Sequence, residues 1–591
     1  MAQPRFIVVG GGLAGLMTTI KVCEAGYPVD LFSIVPVKRS HSVCAQGGIN
    51  ASVNVKGEGD SPQVHFYETV KGGDFLGNQP LAKGMCEAAP GIVFLLDRMG
   101  VPFNRTPEGN LDFRRFGGTL FSRTAFVGAT TGQQMLYALD EQVRRYEAEG
   151  LVEKYEFWDF LSAVLDGEGV CRGIAAQDLR TMEIKAFPAD AVCLATGGCG
   201  IIYGKSTNSM VCTGTAASAV YQQGAHYANG EFIQVHPTGI PGEDKLRLMS
   251  ESARGEGGRI WVPRDGTPWY FLEEKYPKYG NLVPRDIASR EIFHVCRVLK
   301  LGVDGKDVVY LDVSHIPRET LNRKLGGILE IYEKFAGDDP RKVPMKVFPC
   351  VHYSMGGLWI DYEADADGNP KVGNPRNHQT NIPGLFAAGE VDYEYHGANR
   401  LGANSLLSTF YAGMLCGPAM VSHATNLDRS ASAVPSSVFE AERQRQQEMT
   451  EQICRMDGSE NPYVIHKELG EIMTDNVTVV RYNENLQATD NAIRAFQERW
   501  RRTNIQDATR WANQAVPFTR ALRNMLELAR VITLGALRRD ESRGAHYKPD
   551  FPERNDPQWL KTTKATWSPG GPVFSYDPVD SSLLKPELRK Y

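Results

Sequence analysis

The residues best suited to chemistry in this sequence fall into a few polar clusters. Arg39-Ser40-His41-Ser42-Val43-Cys44-Ala45-Gln46-Gly47-Gly48 sets a histidine between two serines, just ahead of a Gly-Gly turn. That pattern brings an imidazole and bare backbone close to a flat ring. It lies about one strand–helix–strand unit after a glycine-rich turn, where a bound dinucleotide runs from its pyrophosphate towards its reactive ring. His41 is therefore read as the place where a flavin is held, a covalent bond being one way to hold it. Cys44 reads as a small buried residue.

Four further clusters bound one stretch of chain. They are His236-Pro237-Thr238-Gly239, Ser250-Glu251-Ser252-Ala253-Arg254-Gly255-Glu256-Gly257-Gly258, Pro284-Arg285-Asp286 and His352-Tyr353-Ser354-Met355-Gly356-Gly357. Alone, each also fits a surface ion pair or a satisfied histidine; four around one segment point to a site. His396-Gly397-Ala398-Asn399-Arg400 adds a planar donor fork suited to carboxylates. Arg114-Arg115-Phe116-Gly117-Gly118 is a basic, aromatic turn, in which Phe116 alone reads as a core ring.

The elements that must position these residues begin at Phe6–Val9, a continuous apolar run like a parallel strand covered on both faces. Gly10-Gly11-Gly12-Leu13-Ala14-Gly15 follows, then an apolar helix pattern to Ala25. This is G-x-G-x-x-G in strand–turn–helix context, which places a pyrophosphate on backbone N–H groups at a helix start. The second strand, Val29–Ser33, ends in Ser33 where a ribose-binding acid usually stands, and Asp30 comes too early. Ala191–Gly198, with Thr196 and Gly197, and Gly384–Glu390 read as two more strands ending in glycine turns. Returning to one sheet, they make the domain discontinuous and Glu390 the candidate ribose carboxylate. Asn404-Ser405-Leu406 starts a helix aimed at the flavin.

Composition sets the bounds. The chain has 591 residues, 42% hydrophobic and 23% charged, with net charge −5, which argues against a nucleic-acid partner. No apolar run approaches the roughly 18 residues that span a bilayer. Met1–Arg5 leads straight into the first strand, so a cytoplasmic protein is expected. Eleven cysteines without a C-x-x-C pair predict no metal or iron–sulfur site in this chain. Beyond about 430 the sequence turns to charged helix, with Leu522, Met525, Leu526, Ala529 and Ile532 at helical spacing. The last 45 or so residues are proline-rich and irregular, a tail expected to lie on another surface.

Together RSHSVCAQGG, HPTG, RGEGG, PRD, HYSMGG and HGANRLGANSL, in this order, resemble the flavoprotein subunits of succinate dehydrogenase and fumarate reductase, most of all the Gram-positive, menaquinone type. The resemblance spans nearly the whole chain. It implies an α/β fold: a discontinuous Rossmann-like FAD-binding domain (1–244 and 350–429), an inserted α+β capping domain (245–349), a helical domain (430–545) and a small irregular C-terminal domain (546–591). It implies FAD bonded to His41, and further cofactor contacts from Gly10, Gly12, Leu13, Ala14, Gly15, Ser33, Ser40, Ser42, Gly48, Thr196, Gly197, Thr215, Glu390, Arg400, Ser405 and Leu406. Thr215 stands where many members carry an acid; Ser250 replaces a common threonine and keeps its hydroxyl.

For the dicarboxylate, the resemblance implies His236, Ser250, His352 and Arg400 as donors, with Phe116, Gln46 and Gly47 pressing the substrate on the flavin. Arg285 matches the proton-transfer position, with Glu251, Arg254 and Asp286 as its relay. The implied partners are an iron–sulfur subunit and, through it, a diheme cytochrome b anchor on the cytoplasmic face of the cell membrane. The competing expectations are a soluble fumarate reductase, an L-aspartate oxidase-like enzyme, which would lack the linking histidine, and a flavin-free scaffold.

Overall fold

The computed structural model describes residues 3–242 and 246–591. Met1, Ala2 and the expected boundary at 244/245 lie outside them.

A five-stranded parallel sheet organises the cofactor side, in the order Leu385–Ala387, Ala191–Leu194, Phe6–Val9, Val29–Ser33, Val152–Glu156. Phe6 and Val8 point into one apolar core, Ile7 and Val9 into another. Burial on both faces is why these strands read as unbroken apolar runs rather than alternating ones. The two strand ends read as distant in sequence pair directly, Val192 opposite Leu385.

The Leu13–Glu24 helix leaves the glycine turn and packs on the Asn404–Thr425 helix. Their backbones come close at Gly413, where a Cβ would lie 2.7 Å from the Ala14 carbonyl oxygen. Leu522, Met525, Leu526, Ala529 and Ile532 all face inward from the Ala515–Arg538 helix. They join the core that holds Ile7 and Val9, so the helical region and the parallel sheet share one interior.

A second sheet has six strands, antiparallel throughout, in the order Arg247–Leu248, Ile233–Ile240, Met345–Ser354, Val309–Asp312, Arg259–Arg264, Thr267–Trp269. Its two long strands pair with each other and carry His236 and His352, His236 standing opposite Cys350. An apolar core of its own includes Ile260, Ile292, Leu311 and Leu325. A three-stranded antiparallel sheet, from Trp158 to Pro188, is inserted after the fifth parallel strand. The final stretch is mostly irregular but forms one hairpin, Lys561–Thr566 with Val573–Pro578, which joins Tyr227–Ala228.

No described helix is long and apolar enough to cross a membrane, and the described residues hold no metal-ligating cluster.

Candidate active site

One continuous cavity runs from the first glycine turn to Arg400. Of the residues the sequence singled out, all line it except Gly15, Arg254 and Asp286.

At its nucleotide end the backbone is the binding surface. Gly10 has φ +126, and a Cβ there would lie 2.1 Å from the Ala195 carbonyl oxygen. Gly15 lies underneath, where a Cβ would fall 1.9 Å from the Gly10 oxygen. Three helices begin at the cavity wall with no side-chain cap, at Leu13, Thr215 and Asn404. The positive ends of these helices suit a phosphate-bearing ligand. The Ser42 hydroxyl accepts from the Leu13 N–H at 3.3 Å. Ser40 Oγ and Gln46 Oε1 are buried with no partner. This set of unmet donors and acceptors along one extended cavity fits FAD.

Glu390 does not lie where the sequence reading put it. It follows the edge strand, three strands from Ser33. At about 4.8 Å per strand that is roughly 14 Å, too far to replace an acid at Ser33. Its carboxylate accepts from the Ser354 N–H at 3.0 Å. Burial pushes it up to about 7 against the pull of that N–H and of Arg400. The acids beside Ser33 are Glu156, its register partner, and Asp159, which lines the cavity with Trp158 and Phe160. Glu156 ends the fifth parallel strand, the other three lie on the edge strand of the inserted sheet, and no motif announced them. Cys44 is exposed, not buried as expected. His41 stands within reach of Asn208 Nδ2 at 3.3 Å and the Ser209 N–H at 3.2 Å.

At the other end several distant segments converge. Arg285 binds one oxygen of Glu251 through Nε and Nη2, at 2.9 and 2.6 Å. Arg254 Nη2 donates to the other oxygen at 2.8 Å, and the Gly117 N–H adds a third donor at 2.9 Å. All three side chains are nearly inaccessible. Burial raises the Glu251 carboxyl, but Arg285 and Arg254 outweigh it and hold it below its usual range. Asp286 is not brought into this cluster. Its carboxylate accepts from Asn399 at 3.0 Å and from Arg589 at 2.8 Å.

His236 and His352 lie with ring centroids 5.0 Å apart. Burial, then the nearby arginines, drive both well below 6.5, so both are neutral imidazoles. His236 Nδ1 accepts from the Thr238 N–H, which puts its proton on Nε2, a buried donor without a partner. His352 Nδ1 and the Thr207 hydroxyl are 2.7 Å apart. Arg400 lies over the Tyr353 ring at 4.5 Å, with Nε unpartnered, and burial lowers it to about 9. Ser250 Oγ is 2.9 Å from Ser252 Oγ. Phe116 sits directly against Gly47, where an added Cβ would meet its ring at 2.8 Å. Arg114 backs the same turn, donating to the Gly47 carbonyl at 2.6 Å.

Two residues behind the arginine escaped the sequence reading as parts of this end. Gln234 Oε1 accepts from Arg285 Nη1 at 2.9 Å, and the Gln234 amide donates to Asn399 Oδ1 at 3.0 Å. Asn399 stood within a quoted motif; Gln234, two residues before His236, carried no signal.

Such an end offers neutral N–H donors and buried cations to an anionic substrate, with a carboxylate between two arginines to move a proton. The wider comparisons agree with this chemistry. The family described as FAD binding domain matches residues 5–406, and that described as fumarate reductase flavoprotein C-term matches 466–591. The succinate dehydrogenase flavoprotein subunit of Bacillus subtilis is 66% identical, covering 100% of this chain and 99% of its own. The fumarate reductase flavoprotein subunit of Escherichia coli is 33% identical, covering 100% and 96%. A solved quinol fumarate reductase chain from E. coli superposes with a TM-score of 0.89 at 31% identity, over 100% of this chain and 98% of that one. The chain belongs to the family of flavoprotein subunits of succinate dehydrogenase and fumarate reductase.

Proposed function

We propose that this chain interconverts succinate and fumarate, with FAD bonded covalently to His41, and passes electrons through an iron–sulfur subunit to quinone. The single observation that carries the reading is the Arg285–Glu251–Arg254 cluster facing unpartnered donors of His236 and Arg400 across the cavity that the glycine turn opens. FAD supplies, when bound, the two-electron acceptor that a dehydrogenation needs.

The chain's own residues supply the rest. Arg400, His236, His352 and the Ser250 hydroxyl hold the two carboxylates of the substrate by charge-assisted and neutral hydrogen bonds. Phe116 and the Gln46-Gly47 turn press it into place. In succinate oxidation Arg285 passes a proton to the Glu251 carboxylate it donates to and, as the neutral guanidine, takes one from the substrate; in fumarate reduction its guanidinium gives the proton. Free arginine is a weak base, with a reference value of about 12.5–13.8. Glu251 relieves that by accepting the Arg285 proton, and Arg254, donating to the other Glu251 oxygen, carries it onward by giving up a proton of its own in turn. Asp286 supports Arg285 from behind.

The cofactor set is Gly10, Gly12, Leu13, Ala14, Gly15, Ser33, Ser40, Ser42, Gly48, Thr196, Gly197, Thr215, Glu390, Arg400, Ser405 and Leu406. Residues 245–349 act as a cap over the substrate, between the two parts of the FAD-binding domain. A membrane-anchor cytochrome b subunit, diheme in type, then holds the complex on the cytoplasmic face of the membrane through the iron–sulfur subunit.

In-gel flavin fluorescence of the denatured chain tests the link, comparing wild type with His41→Ser. A fluorescent wild-type band and a dark variant support it. A dark wild-type band from fully flavin-loaded protein contradicts it and favours a soluble fumarate reductase or an aspartate oxidase-like enzyme.

A further inference from the structure

Behind the proton-carrying cluster a chain of hydrogen bonds runs out to the far end of the sequence. Arg285 Nη1 donates to Gln234 Oε1 at 2.9 Å. The Gln234 amide donates to Asn399 Oδ1 at 3.0 Å, and the Asn399 amide to Asp286 Oδ1 at 3.0 Å. Arg589 Nη2 closes the chain on Asp286 Oδ2 at 2.8 Å. Gln234 and Asn399 are essentially inaccessible, and Asp286 and Arg589 side chains are 2% and 9% exposed.

Every link has a fixed polarity. An ionised carboxylate only accepts, so Asp286 turns the Asn399 amide with its NH2 towards it. The Asn399 oxygen must then face Gln234, and the Gln234 oxygen must face Arg285. Gln234 also donates to the Arg400 carbonyl at 2.8 Å, so the chain ties both arginines of the site. Its polarity depends on the Asp286 carboxylate being held in place against the Asn399 amide. Among the described residues Arg589 is its one ion-pair partner.

Arg589 is itself held. Its Nη1 lies 3.6 Å from Asp74, which also takes Arg554 at 2.8 Å. Tyr591 packs on the core beside the Arg285–Phe293 helix, 5.2 Å from the Tyr279 ring, with Lys71 over its own ring at 5.4 Å. Tyr67 donates to Glu587. The last residues thus lie between the segment holding Asp74 and the helix that starts with Arg285.

We propose that Arg589 is a positioning residue for the dehydrogenation, acting on Arg285 through Asp286, Asn399 and Gln234. Without its guanidinium, the buried Asp286 carboxylate loses the contact that holds it against the Asn399 amide. The Asn399 and Gln234 amides then lose their fixed sense, and a turned Gln234 sets NH2 against Arg285 Nη1. The proposal rests on the reading of Arg285 as the proton carrier.

The test uses the assembled, flavin-loaded complex, with Arg589→Gln, Arg589→Lys, Asp286→Asn, the Arg589→Gln/Asp286→Asn double variant and Arg285→Gln. Leu588→Ser, at an exposed neighbour, is the control. Arg589→Gln is expected to lower kcat about tenfold to a hundredfold, the scale of a small misplacement, with little change in KM or flavin content. Arg589→Lys recovers most of it, and the double variant is no slower than Asp286→Asn. The proposal is overturned if Arg285→Gln is inactive while Arg589→Gln keeps wild-type kcat. It is overturned equally if the two single losses multiply, or if the loss follows flavin content and lysine does not rescue. Full activity in Arg285→Gln would instead sink the reading of Arg285 itself.

Discussion

At the glycine end of the cavity the wall is mostly backbone; at the arginine end it is mostly side chains. Gly10, Gly12 and the three uncapped helix starts offer N–H groups whose positions follow from local chain geometry. Glu251, Arg254, Arg285, Arg400 and the two histidines come from separate segments and meet only through the six-stranded sheet and the helix after Pro284. The first kind of site fails when space is lost. The second fails when a charge or a hydrogen-bond sense is lost.

That difference can be broken by mutation. Arg285→Gln should cost the most, about a hundredfold to ten-thousandfold in kcat, the range for a general acid or base. Flavin content should not change, because the glycine end is untouched; absorbance of the purified protein and steady-state assays check both. Glu251→Ala leaves Arg285 and Arg254 buried without their carboxylate. A loss of about 3–5 kcal/mol in denaturant unfolding is expected. Gly15→Ala works on the other end. With only 1.9 Å to the Gly10 oxygen, the turn must shift, at a cost of about 1–3 kcal/mol. Its signature is flavin loss, read by filtration of the native protein, rather than a slow enzyme that keeps its colour.

The pH dependence of stability in the flavin-free chain sharpens the contrast. His236 is held well below 6.5 by burial. As pH falls below about 6.5 the unfolded chain takes up its proton first, so this residue's contribution is lost towards acid. Glu390, raised to about 7, does the reverse: it binds its proton first when folded, and its contribution grows as pH falls from about 7. Unfolding of His236→Asn and Glu390→Gln between these limits should therefore differ from wild type with slopes of opposite sign. The smallest effect is expected for Ser250→Thr, which keeps the hydroxyl. About twofold in kcat/KM is the most it should cost, well under the loss of one hydrogen bond in Ser250→Ala.

What could be read from sequence divides along the same line. The Gly10–Gly15 turn sits between its own strand and helix, so its role is local and visible. His41 is fixed by its distance from that turn. The arginine cluster showed its members but not its wiring. Arg285 and Asp286 are adjacent in sequence, yet on the helix their side chains diverge, one to Glu251 and the other to Arg589. Gln234 and Trp158–Phe160 gave no pattern, because their roles arise from contacts across 51 residues or more and from a sheet edge. Glu390 was found but misplaced, since strand order, and not sequence order, sets its distance from Ser33.

The most direct test of the account is anaerobic reduction of the bound flavin by succinate, followed by its visible absorbance in a single turnover. Wild type and Arg285→Gln are compared at equal flavin content. The account predicts rapid bleaching in wild type. In the variant succinate still binds, seen as a spectral shift, but bleaching is slower by about a hundredfold or more. Bleaching of the variant at the wild-type rate, or no bleaching of wild type by succinate, would contradict it.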